Sequence, residues 1–339
     1  MNYQIIDTIG SVFAFILGGM VGSFLNVCVY RVPRGESVVR PRSHCPKCDN
    51  PIAWYDNIPM VSWLMLGARC RHCGQAISWQ YPLVEAITAV LFFIVYWRFG
   101  LVIATPIYLL LTAALVLATF VDFSTWTIPD EVTLPGVPIG IACAVLATWH
   151  AASGLRVLGP LPPVFDALIG VEVGGGALFI VDKLTRVLVK KRGMGLGDVK
   201  LLAMLGGFFG WPGVILIIVI ASGIGSIVGV VTMLILRLKK AGEPEDTRHG
   251  KEEKVTFGGF YGMPGTVLIS MIAEAVSLII QKFKGPGAQE IPEEDDSDEI
   301  TIEGHYLPFG PYLCLAGFIV MLFGQELYDA YLAFATAGV

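Results

Sequence analysis

Residues 5–30 read IIDTIGSVFAFILGGMVGSFLNVCVY, an apolar run whose one charge is Asp7. A run of ~20 apolar residues crosses a bilayer as a helix. The stretch lacks the basic start and small-residue cleavage site of a secretory signal, so it reads as a retained span. Comparable runs recur at about 82–97, 101–121, 132–148, 167–189, 200–211, 214–236 and 307–323, which with the first makes eight. The run at 200–211 is short and contains glycine. These stretches predict an all-α polytopic membrane protein of about eight transmembrane helices.

Composition points the same way. Of 339 residues, 15% are charged and 55% hydrophobic, and the mean hydropathy is +0.68. An average soluble domain has roughly 25% charged residues. Too few charges remain here to cover a soluble surface, so an ordinary cytosolic enzyme, a disordered chain and a disulfide-rich secreted module are excluded. A membrane β-barrel would show alternation over ~10-residue strands and no long apolar runs. The net charge of −5 hides an uneven distribution. Residues 290–303 hold eight acids and no base, and without them the sum is −5 + 8 = +3.

The position of the bases orients the spans. Residues 31–80 carry Arg31, Arg34, Arg40, Arg42, Lys47, Arg69 and Arg71 against Glu36, Asp49 and Asp56. Short loops rich in Lys and Arg stay in the cytoplasm. Alternation then puts 122–131, 190–198 and 237–306 on the same side, and the last two carry Lys190, Lys191, Arg192, Arg237, Lys239 and Lys240. Both termini lie outside the cytoplasm. The run 263–283 has polar residues at Ser270, Glu274, Ser277 and Gln281, spaced to form one helical stripe. It reads as an amphipathic helix on the membrane surface, a ninth span being the alternative. The acidic run after it reads as a solvated loop.

Four of seven cysteines form two pairs, Cys45-Pro-Lys-Cys48 and Cys70-Arg-His-Cys73. Paired CxxC turns with such a spacer match a zinc-ribbon site. A reducing cytoplasm argues against disulfides; reduced thiols or a redox pair are the alternative. Four thiolates close the coordination sphere, so such a zinc stabilises and does not catalyse. A module of ~50 residues has little core and needs such a staple. His44 and His72 read as neighbours of the ligands. Cys28, Cys143 and Cys314 fall in apolar spans and read as small core residues.

Two acids stand at span ends. Asp122 closes the third span and Asp198, after Gly195-Leu196-Gly197, opens the sixth. Acids at membrane depth default to function, although each alone is also an acceptable helix cap. Asp130, after Ile128-Pro129, is the better cap candidate. Two carboxylates sharing one water can act as base and acid together and hydrolyse a peptide bond without a metal. Glycines beside Asp198 would let a substrate backbone approach. No Ser-His-Asp set, HExxH or P-loop competes.

In these motifs the chain resembles the bacterial prepilin peptidases, the type IV leader peptidases. The residues carrying the likeness are Gly22-Ser23-Phe24-Leu25-Asn26-Val27 leading to Arg31, both CxxC pairs, Asn57-Ile58-Pro59, and Tyr81-Pro82-Leu83-Val84-Glu85. Further on are Asp122 eight positions before Asp130, Gly193-Met194-Gly195-Leu196-Gly197-Asp198-Val199-Lys200, and Pro308-Phe309-Gly310-Pro311-Tyr312. The resemblance covers nearly the whole chain except about 241–306.

The resemblance implies a membrane aspartic endopeptidase of the bacterial inner membrane. It would cut type IV prepilins and type II secretion pseudopilins after a glycine at the cytoplasmic face. Asp122 and Asp198 would be the catalytic acids, with Asp130 structural. It also implies N-methylation of the new N-terminus from S-adenosylmethionine, for which no binding residues can be placed, because no GxGxxG after a strand occurs. The expected division is 1–30 first helix, 31–80 zinc-binding domain with Cys45, Cys48, Cys70 and Cys73 as ligands, and 81–240 peptidase core. An insertion at 241–306 and a last helix with tail at 307–339 complete it. Prepilins and membrane lipids are the expected partners, with no nucleic acid, and the oligomeric state stays open. The rival readings are a peptidase without methylation, a proton- or cation-coupled transporter, and a membrane anchor whose zinc module binds partners.

Overall fold

A computed structural model describes the protein over residues 2–152, 161–189, 195–241 and 309–337. The bases at 190–192, the run 263–283 and the acidic run 290–303 lie outside the described residues. The fold class expected above is the one observed. Helices α1 (Asn2–Arg31), α2 (Val61–Met65), α3 (Gln80–Phe99) and α4 (Ala104–Thr125) are followed by α5 (Asp130–Ala152), α6 (Val164–Val189), α7 (Leu196–Ala241) and α8 (Gly310–Ala337). Among the described residues there is no strand, and two isolated β-bridges lie in the cysteine segment between α1 and α3. Six of these helices are long and apolar enough to cross a membrane. Helix α6 is as long but carries Asp166, Glu172, Asp182 and Lys183.

Helix α7 joins two runs that the sequence separates near Pro212. The break lies two residues earlier, at Gly210, whose φ of 68° and ψ of 179° are not helical. A side chain would resist that conformation. At ~1.5 Å per residue, an unbroken helix of this length would be far longer than a bilayer is thick. Inside the spans the hydroxyls are satisfied locally: Thr88, Thr112 and Thr119 each donate to the carbonyl four residues back, at 2.7, 2.7 and 2.8 Å. Such bonding is what an apolar surrounding requires of a polar group.

Lipid gives helices no hydrophobic reason to associate, so close packing of small residues has to supply it. Helix α1 presents Gly10, Ala14, Gly18, Gly22 and Asn26 at intervals of four to antiparallel α3. Cβ atoms added at Gly18 and Gly22 would lie 2.7 Å from the Cα atoms of Ala89 and Glu85. Ala14 is buried, and the Asn26 amide donates to the Tyr81 carbonyl at 3.0 Å. Helix α7 is gripped on two sides. Gly140 of α5 meets Gly207, and Gly170 and Gly174 of α6 meet Gly206 and Leu202. Around these contacts Tyr108, Leu201, Leu202, Met204, Leu205, Ile217 and Leu313 form a fully buried core shared by α4, α7 and α8.

The chain divides into two compact units, one of Met1–Ala221 with Pro308–Val339 and one of Ser222–Leu307. All the contacts above fall within the first.

The glycine contacts make a prediction. A side chain at Gly206 would collide with the backbone of Gly170, so Gly206→Leu is expected to cost about 1–3 kcal/mol, the range for overpacking. Gly176→Ala, which meets nothing within 4 Å, is expected to be neutral. Thermal unfolding in detergent reads both.

Candidate functional site

The four cysteines lie on two turns built alike. In the first, the Asp49 N–H donates to the Cys45 carbonyl at 2.8 Å and the Cys45 N–H to the Asn50 carbonyl at 2.9 Å. In the second, Gly74 donates to Cys70 at 2.9 Å and Cys70 to Gln75 at 2.8 Å. Each turn needs one residue at positive φ: Asp49 (57°) in the first and Gly74 (68°) in the second. The bridges His44↔Pro51 and Arg69↔Ala76 close both at the same offset.

The turns bring Cys45, Cys48, Cys70 and Cys73 together, with their sulfurs all within 4.8 Å of one another. The Cys45 and Cys73 sulfurs are 3.8 Å apart. A tetrahedral ion with Zn–S of ~2.3 Å would space its sulfurs by about 3.8 Å. Backbone N–H groups of Cys73 and His72 pull the Cys70 thiol down to about 6, toward thiolate. The Gln75 backbone lowers Cys73, but desolvation and the neighbouring sulfurs outweigh it and push that thiol up to about 11. A cation at the centre of the four sulfurs favours their thiolate forms. The cluster could hold a metal ion. His44 bonds the Arg42 carbonyl and approaches Asp49 at 3.6 Å, and it is not in the cluster.

Buried polar contacts fasten this segment to the spans. The Arg31 guanidinium donates to the carbonyls of Ser37 and Pro41, both at 2.9 Å. Glu85, a buried acid on α3, accepts the Met60 N–H at 2.7 Å. Met60 itself has φ 60°, which turns the chain back toward α2. Bidentate Arg71–Asp56 contacts at 2.8 and 2.5 Å tie the second cysteine turn to residues 54–57, and hold the Asp56 carboxyl below its usual range. Cys28, Cys143 and Cys314 are buried in the spans, as their surroundings in the sequence suggest.

Asp122 and Asp198 come from separate helices to one place. Asp122 lies in the last turn of α4 and is 5% exposed. Asp198 lies in the first turn of α7, half-buried, with its N–H on the Gly195 carbonyl at 3.2 Å. Asp122 is near enough for its charge to act on Asp198, and both act on buried Cys314 of α8. Among the described residues neither carboxylate is in an ion pair.

Three sets of contacts lie around these acids. The Gly310 backbone hydrogen-bonds the Asp122 carboxylate, and a Cβ at Gly310 would come 2.5 Å from Asp122 Oδ2. Ile128 wedges between Gly197 and Gly310, with Cβ positions at those glycines 3.1 and 3.0 Å from it. Lys200 Nζ reaches both Asp130 oxygens, at 2.8 and 2.7 Å. That ion pair straps the start of α5 to the start of α7, and it keeps Asp130 engaged apart from Asp122 and Asp198. Gly310 and Lys200 both fall inside motifs visible in the sequence, but their roles depend on contacts across 70 residues or more.

Two family profiles match this chain. Residues 16–99 match the sequence profile of the bacterial Peptidase A24 N-terminal domain, and residues 109–230 match that of the type IV leader peptidase family. A prepilin leader peptidase/N-methyltransferase of Myxococcus xanthus is 37% identical over 322 residues, covering 94% of this chain and 91% of the relative. Its namesake in Pseudomonas aeruginosa is 31% identical, covering 94% and 92%. The one in Neisseria gonorrhoeae is 35% identical, covering 67% and 82%. No solved structure matches significantly.

The cysteine geometry predicts about one tightly held divalent ion per purified chain, the content of a single four-thiolate cage. Elemental analysis should find it, and Cys45→Ser or Cys70→Ser should lower the content to background.

Proposed function

The chain belongs to the type IV leader peptidase family, and from that premise we propose that Asp122 and Asp198 are its catalytic acids. The substrates are type IV prepilins and type II secretion pseudopilins, cut after a glycine. The observation that carries this reading is the convergence from α4 and α7 of two carboxylates that, among the described residues, are in no ion pair. The substrate's apolar helix lies in the bilayer and its leader in the cytoplasm. The scissile bond then meets the ends of α4 and α7, on the side where the basic segment 31–80 begins. The membrane is the bacterial inner membrane.

The acids divide the work. Asp122, which accepts the Gly310 backbone hydrogen bond, is ionised and takes a proton from a water held between the two. Asp198, protonated, gives its proton to the carbonyl oxygen as the water oxygen bonds to the carbonyl carbon. The tetrahedral intermediate then collapses. Its C–N bond breaks, Asp122 passes its proton to the departing amine, and the new carboxyl returns a proton to Asp198. Both acids end as they began, and no covalent enzyme intermediate is needed.

The freed amine is the acceptor for N-methylation, with S-adenosylmethionine as the methyl donor. The names of the relatives carry both activities. Cys45, Cys48, Cys70 and Cys73 hold zinc, which with four thiolates has no open position and serves to fold the segment. A coupled transporter would place its acids near the midplane. Asp122 is three residues from the end of α4 and Asp198 two from the start of α7.

Asp122→Asn and Asp198→Asn are each expected to lower prepilin cleavage ~10³-fold or more, as loss of one member of a catalytic unit does. Metal content should stay unchanged, as should methyl transfer from a labelled donor to pilin already cleaved. Normal cleavage by either variant overturns the assignment. Lys200→Met should leave the melting temperature nearly unchanged, because the pair with Asp130 is half-exposed and such pairs contribute ~0–1 kcal/mol. It should still lower kcat by ~10–100-fold through misplacement of Asp198. Exchanging the two charges, Asp130→Lys with Lys200→Asp, should recover part of the loss; an unchanged kcat in Lys200→Met shows the strap plays no part.

A further inference from the structure

Helix α2 puts its apolar side outward. Val61, Leu64 and Met65 occupy positions i, i+3 and i+4, one face of a helix, and are 48%, 70% and 82% exposed. The opposite face is engaged: buried Ser62 donates to the Tyr55 carbonyl at 2.9 Å, and the Trp63 indole to Ile77 at 3.3 Å. Trp54, in the short turn before α2, is 82% exposed. In a small module with little core, leaving these side chains bare to water would be costly, at ~25 cal/mol per Å² of apolar surface.

Their depth says what covers them. Helix α3 has 20 residues, so it is ~30 Å long, the thickness of the hydrocarbon layer, and crosses with no length to spare. Its first residue therefore stands at the boundary, and Glu85, five residues on, is ~7 Å inside it. The Met60 N–H, one residue before α2, donates to that carboxylate at 2.7 Å. Pro59 and Met60 also pack over Gly19 of α1, with contacts of 3.4 and 3.7 Å to a Cβ placed there. Gly19 is 12 residues before the end of α1 at Arg31, about 18 Å along the helix. So the chain enters α2 from a point at or below the hydrocarbon boundary, held there by two spans.

We propose that α2 is an interfacial wedge: Val61, Leu64 and Met65 lie among the acyl chains of the cytoplasmic leaflet, with Trp54 at headgroup level. An aromatic ring with one polar edge suits that level. The charge of the surrounding segment fits an anionic lipid surface, because bases outnumber acids by seven to three across residues 31–80. Arg34, Arg40, Arg42, Lys47 and Arg69 are all exposed. Each such base near an anionic leaflet adds ~1 kcal/mol. The wedge holds the cysteine module down on the membrane beside the ends of the spans. This inference needs the membrane spans alone and stands whether or not the two acids cleave prepilin.

The test places the photo-reactive residue benzoylphenylalanine at Leu64, or separately at Met65, in the full chain in nanodiscs of phosphatidylethanolamine and phosphatidylglycerol. Both side chains are exposed, so neither label should disturb folding, and bound metal per chain verifies this. On irradiation, mass spectrometry should find phospholipid adducts at both positions. Their yield should be comparable with that at Leu110, an exposed residue within α4, and unchanged when prepilin is added. Absence of lipid adducts overturns the proposal. So do adducts with prepilin, which would make the face a substrate dock, and adducts with a second copy of the chain, which would make it a self-association surface.

Discussion

Two carboxylates at the end of a helical bundle, in no ion pair among the described residues, are the constraint on which the rest of this structure depends. At membrane depth a carboxylate is costly, and two near each other are costlier. Asp122 and Asp198 are brought together because the backbones around them come closer than side chains would permit. Gly310 lies against the Asp122 carboxylate, Gly197 lies against Ile128, and glycines of α5 and α6 grip α7. Helix ends also help. The carboxylate of Asp122 takes a backbone hydrogen bond from the start of α8, and Asp198 sits in the first turn of α7, where a helix favours the negative charge that is left when an acid gives up its proton.

The cysteine segment, in the same compact unit, is held by different physics. It has almost no core, and its two turns repeat one hydrogen-bond pattern around four sulfurs. What connects it to the spans is polar and buried: Arg31 on two carbonyls and Glu85 on the Met60 amide. Acids therefore have two uses here. Glu85 accepts a backbone donor and locks a loop, while Asp122 lies near enough for its charge to act on Asp198. Asp130 has a third use, as the anchor of the Lys200 strap.

Features that depend on local pattern were legible in the sequence. Apolar runs marked the long helices, the CxxC spacing marked the sulfur cluster, and the two acids stood out because so few charges surround them. Features set by contacts between distant residues were not. Nothing near Gly310 indicates that it closes on a carboxylate nearly 190 positions earlier, and nothing near Met60 indicates a bond to Glu85. The break in α7 lies inside the run 200–211 and not between it and the run 214–236, for a related reason. Pro212 and Gly213 are the stronger local breakers, yet the positive φ falls on Gly210, where α7 packs against Asp166 and Pro162 at the start of α6.

The account turns on Asp122 and Asp198 acting as one unit, and a double-mutant cycle on prepilin cleavage tests that most directly. Residues that share a single proton-transfer step are strongly non-additive. The double variant, Asp122→Asn with Asp198→Asn, is predicted to retain the same residual rate as either single variant. Losses that multiply, with the double variant slower by the product of the two single effects, would contradict a shared role.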